Sequence, residues 1–398
     1  MKIRPFWVTV HRYTGLAMTF FLIVVGLTGS LLAFNTELDR LVNPQLHVEA
    51  NNRQALEPIA LIVRAERLAP EAQVESLWIY PDAAQVAVAP RRNGQTGKHY
   101  DLDYDQLIID PYSGEELGRR RWGAISEGMI NLLPFIYKLH FNLALDQIGM
   151  WALGITALVW TFDCFIGFYL TLPATKWAPQ QDASVAVVFW RRWRRAWTVK
   201  WGAAAIRINF DLHRAGGLWV WAVLLVFAWS SVYMNLGDSV YPKVMQSISS
   251  YHQPWTEIAD LPKPLEHPAL DIKEACRLGE AAMSRAAAEE GFSIEAPAAV
   301  WINRAKGLYV YSVRSSADIQ DRSGQTRVVL DANSGEQKML LLPSGQYNGN
   351  TATSWLLALH MANVFGMPYR IFVCLLGLMI VMLALTGVVI WLKKQRPF

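Results

Sequence analysis

Four long apolar runs constrain this chain more than any other feature of its sequence. Each run has roughly the 20 residues that a helix needs to cross a bilayer. Asp163 is the one acidic or basic side chain inside them, and the runs are Gly15–Phe34, Ile148–Leu172, Gly217–Leu236 and Ile371–Leu392. The sequence therefore predicts a membrane protein built on a four-transmembrane-helix bundle.

The distribution of lysine and arginine predicts how the chain crosses the membrane, because basic residues collect on the cytoplasmic side. Basic residues cluster between the second and third runs: Arg191, Arg192, Arg194, Arg195, Lys200 and Arg207. The segment 37–146 instead has 11 basic and 16 acidic residues. We expect both termini in the cytoplasm and the two long segments outside. The first run is too long for a signal peptide and no cleavage site follows it, so we interpret it as a permanent span.

Composition excludes several kinds of site and partner. The net charge of +4 reflects this sidedness, and the RRWRRAW stretch at 191–197 is typical of a belt that contacts anionic lipid. We therefore expect membrane lipid as a partner and no nucleic acid. The three cysteines include no C-x-x-C pair, so the sequence contains no ligand set for zinc or an iron–sulfur cluster.

Landmarks recur in the same order in both halves of the chain, which indicates an internal duplication. A His-Arg pair precedes the first and third runs, in HRYTG from His11 and HRAGG from His213. A Leu-His pair precedes the second and fourth runs, ending at His140 and His360. The order of His-Arg, span, outer segment, Leu-His and span therefore occurs twice.

Each outer segment is predicted to fold as a helix followed by strands. In the first, Leu56–Leu68 is typical of a helix, and VESLWIYP, QVAVAPRR and QLIIDPYSGEEL follow as strand-like runs. In the second, Leu270–Glu290 is rich in helix formers, and AAVWINR, GLYVYSVRS and TRVVLDANSG follow. Both copies contain Asp-x-x-Ser-Gly-Glu, from Asp110 and Asp331, which we interpret as a turn rather than an acid site.

These motifs in this order resemble the PepSY-associated transmembrane family of bacterial inner-membrane proteins, and the resemblance covers nearly the whole chain. It implies a four-helix bundle with two periplasmic α+β PepSY-like domains. The segments are transmembrane helix 1 (1–36), PepSY-like domain 1 (37–146), transmembrane helix 2 (147–173), a basic cytoplasmic connector (174–212), transmembrane helix 3 (213–238), PepSY-like domain 2 (239–368), and transmembrane helix 4 with its tail (369–398). Characterised relatives look like di-haem ferric-siderophore reductases, which implies b-type haem on the span histidines.

Four of the eight histidines lie at predicted helix ends, His11 and His213 inside and His140 and His360 outside. Imidazole is a common axial ligand of haem iron, and two histidines from facing helices can hold one haem. Spans that cross in alternating directions bring residues of equal depth together. We therefore expect His11 to pair with His213 and His140 with His360, with two b-type haems per chain. The alternative is that these side chains bind only lipid or backbone.

Three ionisable residues lie close to these histidines in the sequence or inside a span. Arg12 and Arg214 directly follow the inner histidines and could neutralise haem propionates or merely mark the cytoplasmic side. Asp163 could accept the ring N–H of a ligand histidine, or be protonated and bound to a neighbour.

Other candidate residues have simpler interpretations. His252, with Tyr251 and Trp255, could line a substrate site, although a turn is the simpler interpretation. The three arginines at 119–121 could contact haem propionates, an anionic substrate or lipid phosphate, and lipid contact is the simplest interpretation. Three histidines show no partner pattern and are expected on the surface: His47, His99 and His267.

The sequence thus predicts an oxidoreductase that passes electrons to a ferric siderophore in the periplasm. No G-x-G-x-x-G fingerprint follows a strand, so the electron donor should be a separate protein or a quinol. Two rivals remain, a PepSY binding or regulatory protein without redox activity and a haem b carrier to another acceptor such as quinone. A transporter fits less well, because the repeat is parallel and we expect no broken helix.

Overall fold

The computed structural model describes residues 3–49, 54–173 and 185–395. The helices are α1 (Ile3–Leu32), α2 (Asn35–Val42), α3 (Pro58–Leu68), α4 (Leu132–Asn142), α5 (Asp146–Thr171), α6 (Val185–Trp193), α7 (Ala205–Trp219), α8 (Trp221–Leu236), α9 (Tyr241–Ile248), α10 (Ile272–Glu290), α11 (Asn348–His360) and α12 (Gly366–Gln395). The strands are β1 (Ala72–Ile79), β2 (Ala84–Pro90), β3 (Gln106–Ile109), β4 (Glu116–Arg120), β5 (Ile294–Asn303), β6 (Leu308–Ser315), β7 (Thr326–Asp331) and β8 (Gln337–Leu341). Part of the predicted connector, residues 174–184, lies outside the described residues.

Three helices, α1, α5 and α12, are long and apolar enough to cross a membrane. Helices α7 and α8 pass the same test together, but they meet at a bend of 70°. The third apolar run therefore forms a bent pair of helices. The expectation of no broken helix, which counted against a transporter, is wrong.

The bend in the third apolar run has a local cause. Val220 has φ −114° and ψ 9°, outside the helical region, and a Gly-Gly pair that tolerates bending precedes it at 216–217. The indole N–H of Trp219 donates to Trp197 O at 3.0 Å, and that of Trp221 donates to Cys164 O at 2.8 Å. The two tryptophans thus fix α7 and α8 to different neighbours.

The four histidines lie on four different helices. His11 lies inside α1 and His213 inside α7. His140 and His360 belong to the short helices α4 and α11, which precede α5 and α12 in the chain. Each short helix is followed by residues with positive φ, of which Leu143 has 56°. A left-handed non-glycine residue costs about 1–2 kcal/mol, so the chain stores strain directly after each Leu-His pair.

Helices α1 and α12 pack closely against each other. A Cβ on Gly26 would lie 2.8 Å from Gly377 O, so only glycine allows this approach. The Ser30 hydroxyl donates to Cys374 O at 2.8 Å across the same interface. Small residues and interhelical hydrogen bonds are what associates helices within a bilayer, so the first apolar run packs as an integral part of the bundle.

The two outer segments, expected as two PepSY-like domains, share one antiparallel sheet of order β4-β3-β2-β1-β5-β6-β7-β8. The halves join where β1 pairs with β5, with Leu77 opposite Val300. Apolar side chains from α3 and α10 pack on one face of the sheet. The six predicted strands are present, and the edge strands β4 and β8 were not predicted because neither has a long apolar run.

The two Asp-x-x-Ser-Gly-Glu motifs are turns that leave β3 and β7, which confirms their interpretation. In each motif the carboxylate of Asp110 or Asp331 accepts the backbone N–H two residues later, at 2.7 and 2.9 Å. Gly114 and Gly335 follow with φ of 73° and 74°, values that favour glycine. The same turn therefore occupies the same place in both halves of the sheet.

Candidate functional site

Two histidine pairs lie at opposite ends of the helical bundle. The far pair, His11 on α1 and His213 on α7, has ring centroids 6.1 Å apart and ring planes at 62°. The near pair, His140 on α4 and His360 on α11, lies next to the sheet, with centroids 6.2 Å apart and planes at 61°. The structure thus brings together the partners that the sequence predicts by depth.

The two pairs are separated along α1. His140 of the near pair contacts Thr28, which is 17 residues after His11 on the same helix. Because an α-helix rises 1.5 Å per residue, the two pairs lie about 26 Å apart along this axis. That is most of the thickness of a bilayer's hydrocarbon core.

Each imidazole of the far pair uses Nδ1 to bind the protein. Nδ1 of His11 lies 2.9 Å from the Asp163 carboxylate, which also accepts the Thr14 hydroxyl at 2.9 Å. Nδ1 of His213 lies 3.0 Å from Leu383 O. A carbonyl can only accept, so Nδ1 of His213 carries the proton, and Nδ1 of His11 carries it when Asp163 is ionised. Both roles predicted for Asp163, acceptor of a histidine N–H and protonated partner of a neighbour, fit these distances.

The near pair uses Nδ1 in the same way but with hydroxyl partners. Nδ1 of His140 lies 2.9 Å from Thr28 Oγ1, and Nδ1 of His360 lies 2.7 Å from Ser230 Oγ. Each hydroxyl hydrogen is already donated to a carbonyl of its own helix, at 2.7 and 3.0 Å. The hydroxyl oxygens therefore accept from the imidazoles. The ring of Phe227 also stacks on His360, with centroids 5.0 Å apart.

With Asp163 ionised, all four Nε2 atoms keep a lone pair. None of them has a hydrogen-bond partner within the part of the chain that the structure describes. A neutral imidazole with Nδ1 protonated and anchored is the form in which histidine binds a metal through Nε2.

Glycines leave room beside three of the four rings. A side chain at any of these positions would press on the imidazole Cε1 atom. The contacts of an added Cβ are Gly29 with His140 at 3.0 Å, Gly167 with His11 at 3.4 Å, and Gly387 with His213 at 3.3 Å. The absence of side chains at these positions leaves these three imidazoles uncrowded.

The ring spacing is suited to one metal ion between two imidazoles. With metal–nitrogen bonds of about 2.0 Å, imidazoles on opposite sides of one ion have centroids about 6 Å apart. No group of three or more His, Cys, Asp or Glu side chains in the described ranges could hold a metal ion. The imidazoles of each pair can therefore supply two ligands, and the remaining ligands would have to come from a non-protein group.

The two arginines beside the far pair differ in how many of their N–H donors already have a partner. Arg214 donates to Asp211 at 2.8 Å and to Arg195 O at 2.8 Å, while its Nε is buried without a partner. Arg12 is partly buried and makes no hydrogen bond or ion pair with the described residues. Both retain donors that an anionic group could use.

The residues around His252 do not converge on one site. His252 Nε2 lies 2.5 Å from Glu257 Oε1, and its ring packs on Tyr347. Tyr251 packs among apolar side chains of the bundle, whereas Trp255 packs against the sheet. The three predicted residues thus have separate environments.

His47 is buried in a charged cluster, so its prediction as a surface residue is wrong. Its Nδ1 lies 2.9 Å from Asp82 Oδ2 and its Nε2 lies 3.2 Å from Asp39 Oδ2. Burial disfavours the imidazolium, but the hydrogen bonds to both carboxylates outweigh it and raise the pKa of His47 to about 9. Arg40 also donates to Asp82 at 2.9 Å. His47 and Asp82 are 35 positions apart, so no local motif in the sequence could predict this contact.

Arg120 lies beside the same cluster, which corrects its interpretation as a lipid contact. It is 6% exposed and donates to Gln106 Oε1 at 2.6 Å and to Ile130 O at 3.2 Å. Its Nη1 lies 3.8 Å from Asp39 Oδ2. A second unpredicted contact joins the bundle to α2: Arg370, 1% exposed, binds both carboxylate oxygens of Glu37.

A multi-pass membrane protein with an antiparallel sheet and an imidazole pair at each end of its bundle is the class that this fold and geometry define. The family described as the PepSY-associated TM region matches residues 8–394. The chain belongs to this family. No curated protein matches the chain.

Proposed function

We propose that the protein is a di-haem b oxidoreductase of the bacterial inner membrane that reduces ferric siderophores in the periplasm. The observation that carries this proposal is the shared geometry of the far and near pairs, with ring centroids 6.1 and 6.2 Å apart. Haem iron takes axial imidazole ligands, and when bound it supplies a one-electron ferric/ferrous couple.

The residues present fit such a group. His11 and His213 would hold one haem, and His140 and His360 the other. The Nδ1 bonds fix the tautomer and orientation of all four rings before any ligand arrives. A porphyrin supplies the ligands that the described side chains do not, which agrees with sites of only two protein ligands.

The charged residues at the far pair have matching roles in this proposal. Arg12 and the unpaired Nε of Arg214 would donate to haem propionates. Asp163 would hold the N–H of the ligand His11, a role that outer-shell carboxylates have in many metal sites.

The proposed topology has four spans, with α7 and α8 counted as one, and a duplicated order of elements. Basic residues at the far end, among them Lys393 and Lys394 in the last turn of α12, support cytoplasmic termini. The sheet would then lie in the periplasm, where a ferric siderophore docks. Trp190 on α6 is 60% exposed, as expected for a belt that contacts lipid. The donor, a protein or a quinol, would act at the far pair.

The test is reoxidation of the purified, dithionite-reduced protein by ferric siderophores, with ferrozine present to trap ferrous iron. We expect the haem bands to return to the ferric form as the ferrous–ferrozine complex appears, because ferrous iron binds hard oxygen ligands less well. Reoxidation by quinone but by no ferric chelate would make the protein a haem b carrier to another acceptor. A protein without haem would instead be a binding or regulatory member of the family.

A further inference from the structure

A groove of about 500 Å³ lies on the outside of the bundle between α1 and α5. It is lined by Trp7, Phe162, Phe165, Ile166 and Tyr169. Phe162 and Phe165 are 63% and 53% exposed, and they lie on helices long and apolar enough to span a membrane. The groove therefore opens towards lipid.

The groove lies at the depth of the far pair. Trp7 is one helical turn before His11 on α1, so both side chains leave the same face of that helix. On α5, Ile166 is adjacent to Gly167, whose Cβ position is 3.4 Å from His11 Cε1. One layer of helix packing thus separates the groove from the His11 ring.

Arg4 lies beside the lining residue Tyr169, at the end of α5. Its guanidinium donates to Leu172 O at 3.0 Å and to Leu170 O at 2.6 Å, and lies 5.9 Å from the centroid of the Tyr169 ring. Its positive charge is thereby held at the C-terminal end of α5, where a helix stabilises a cation.

The lining specifies the chemistry of the ligand. No charged side chain is among the lining residues, so the ligand is neutral. Four of the five lining residues are aromatic, and flat rings pack favourably on one another. Access from the bilayer requires a lipid-soluble molecule. A phospholipid acyl chain is uncharged and lipid-soluble, but it gains nothing from ring stacking.

We propose that this groove binds the ring of a membrane quinol, the electron donor of the proposed function, on which this inference rests. Oxidation breaks the two O–H bonds of the quinol and leaves a quinone. The two protons pass to water at the cytoplasmic surface. The two electrons would pass one at a time to a haem held by the far pair, which would be reoxidised through the near pair before it takes the second electron, with the ferric siderophore as the final oxidant.

The test uses the full-length holoprotein in nanodiscs free of quinone, with an azido-ubiquinone as the photolabel and peptide mass spectrometry as the readout. We expect labelling in the α1 and α5 peptides that contain Trp7 and Phe162. Ubiquinone-1 should compete with the label, whereas an isoprenoid alcohol of equal tail length should not.

Variants of the lining test the site without relying on turnover. We expect Trp7→Ala and Phe162→Ala each to weaken ubiquinone-1 binding about tenfold, because each removes one stacking wall. Phe162 is the safer substitution, since its exposed ring adds little to folding. The matched control is Phe20→Ala, which removes a 65% exposed ring from α1 outside the groove and should leave binding unchanged.

Label spread evenly over all lipid-facing helices, or equal competition by the isoprenoid alcohol, would overturn the quinol assignment. An equal loss of binding in Phe20→Ala would overturn it as well. Haem content separates this inference from the proposed function. A chain with two haems and no specific label loses only the quinol site, whereas specific labelling of a haem-free chain supports the groove and contradicts the proposed function.

Discussion

The far pair and the near pair have almost the same ring geometry but different Nδ1 partners. In the far pair, His11 donates to the carboxylate of Asp163, whereas both rings of the near pair donate to hydroxyls. A carboxylate partner makes an imidazole the more basic ligand, and a more basic ligand favours ferric iron. If both pairs hold haem as proposed, the comparison predicts a lower reduction potential at the far haem, which would direct electrons from the far haem to the near haem.

The two pairs also differ in what holds their histidines in place. The far histidines lie within α1 and α7. The near histidines lie on short helices whose position depends on the strained turns after Asn142 and His360. The near site should thus be the more sensitive to changes in turns and packing.

The largest expected effect comes from removing a ligand. We expect His11→Ala and His213→Ala to eliminate the same haem, and His140→Ala and His360→Ala the other, because each haem would need both axial ligands. Low-temperature absorption spectra of the four single variants check this. If His11→Ala and His140→Ala instead eliminated the same haem, the pairing of His11 with His213 and of His140 with His360 as ligands would be contradicted.

The same variants test the direction of electron flow. With the far pair removed, the native cytoplasmic-side donor should no longer reduce the protein, while dithionite should still reduce the near haem. Stopped-flow absorption with each reductant measures both rates. Unchanged reduction by the native donor would place electron entry elsewhere.

A second, smaller effect should separate the two sites by packing. A Cβ on Gly149 would collide with the backbone of Asn142, so Gly149→Ala must displace α4 from α5 at a cost of about 3 kcal/mol. We expect this variant to lose the near haem and keep the far haem. Gly15→Ala on α1, where nothing lies within 4 Å of the added Cβ, is the control and should keep both. Equal loss of both haems would contradict the independence of the sites.

Asp163→Asn tests the potential difference directly. The amide accepts the His11 proton less strongly than a carboxylate, so the lower of the two potentials should rise by about 60 mV, a tenfold change in the one-electron equilibrium. Thr28→Val is the matched change at His140 and should affect the higher potential. Spectroelectrochemical titration resolves both, and an unchanged lower potential in Asp163→Asn would remove the carboxylate as the cause.

The smallest effect concerns the His47 cluster, outside both pairs. Because the folded pKa of His47 is raised to about 9 from an unfolded value near 6.5, its stabilisation is complete below about pH 6.5 and is lost as pH rises through about 9. Thermal unfolding of wild type and His47→Gln should differ most at pH 6 and converge above pH 9. A difference that grows with pH would contradict the charged state assigned to His47.

The sequence predicted the parts of the site that depend on periodic or duplicated signals. Apolar run length predicted α1, α5 and α12, and the paired His-Arg and Leu-His motifs predicted which imidazoles meet. An apolar run has the same length and composition whether its helix is straight or bent. Run length therefore could not predict the break at Val220.

Contacts between distant segments could not be predicted in the same way. The joining of β1 to β5 depends on the relative position of two segments more than 200 residues apart. The burial of His47 depends on Asp39 and Asp82, which form no local motif with it. Such contacts arise from tertiary packing, and neither periodicity nor residue spacing in the sequence predicts them.

The most direct test of the central proposal is the haem content of the purified wild-type chain. A pyridine haemochrome assay, divided by protein mass from amino-acid analysis, gives haems per chain. We expect about two b-type haems per chain, one for each imidazole pair. A ratio near zero would contradict the redox function, and a ratio near one would contradict the equivalence of the far and near pairs as ligand sites.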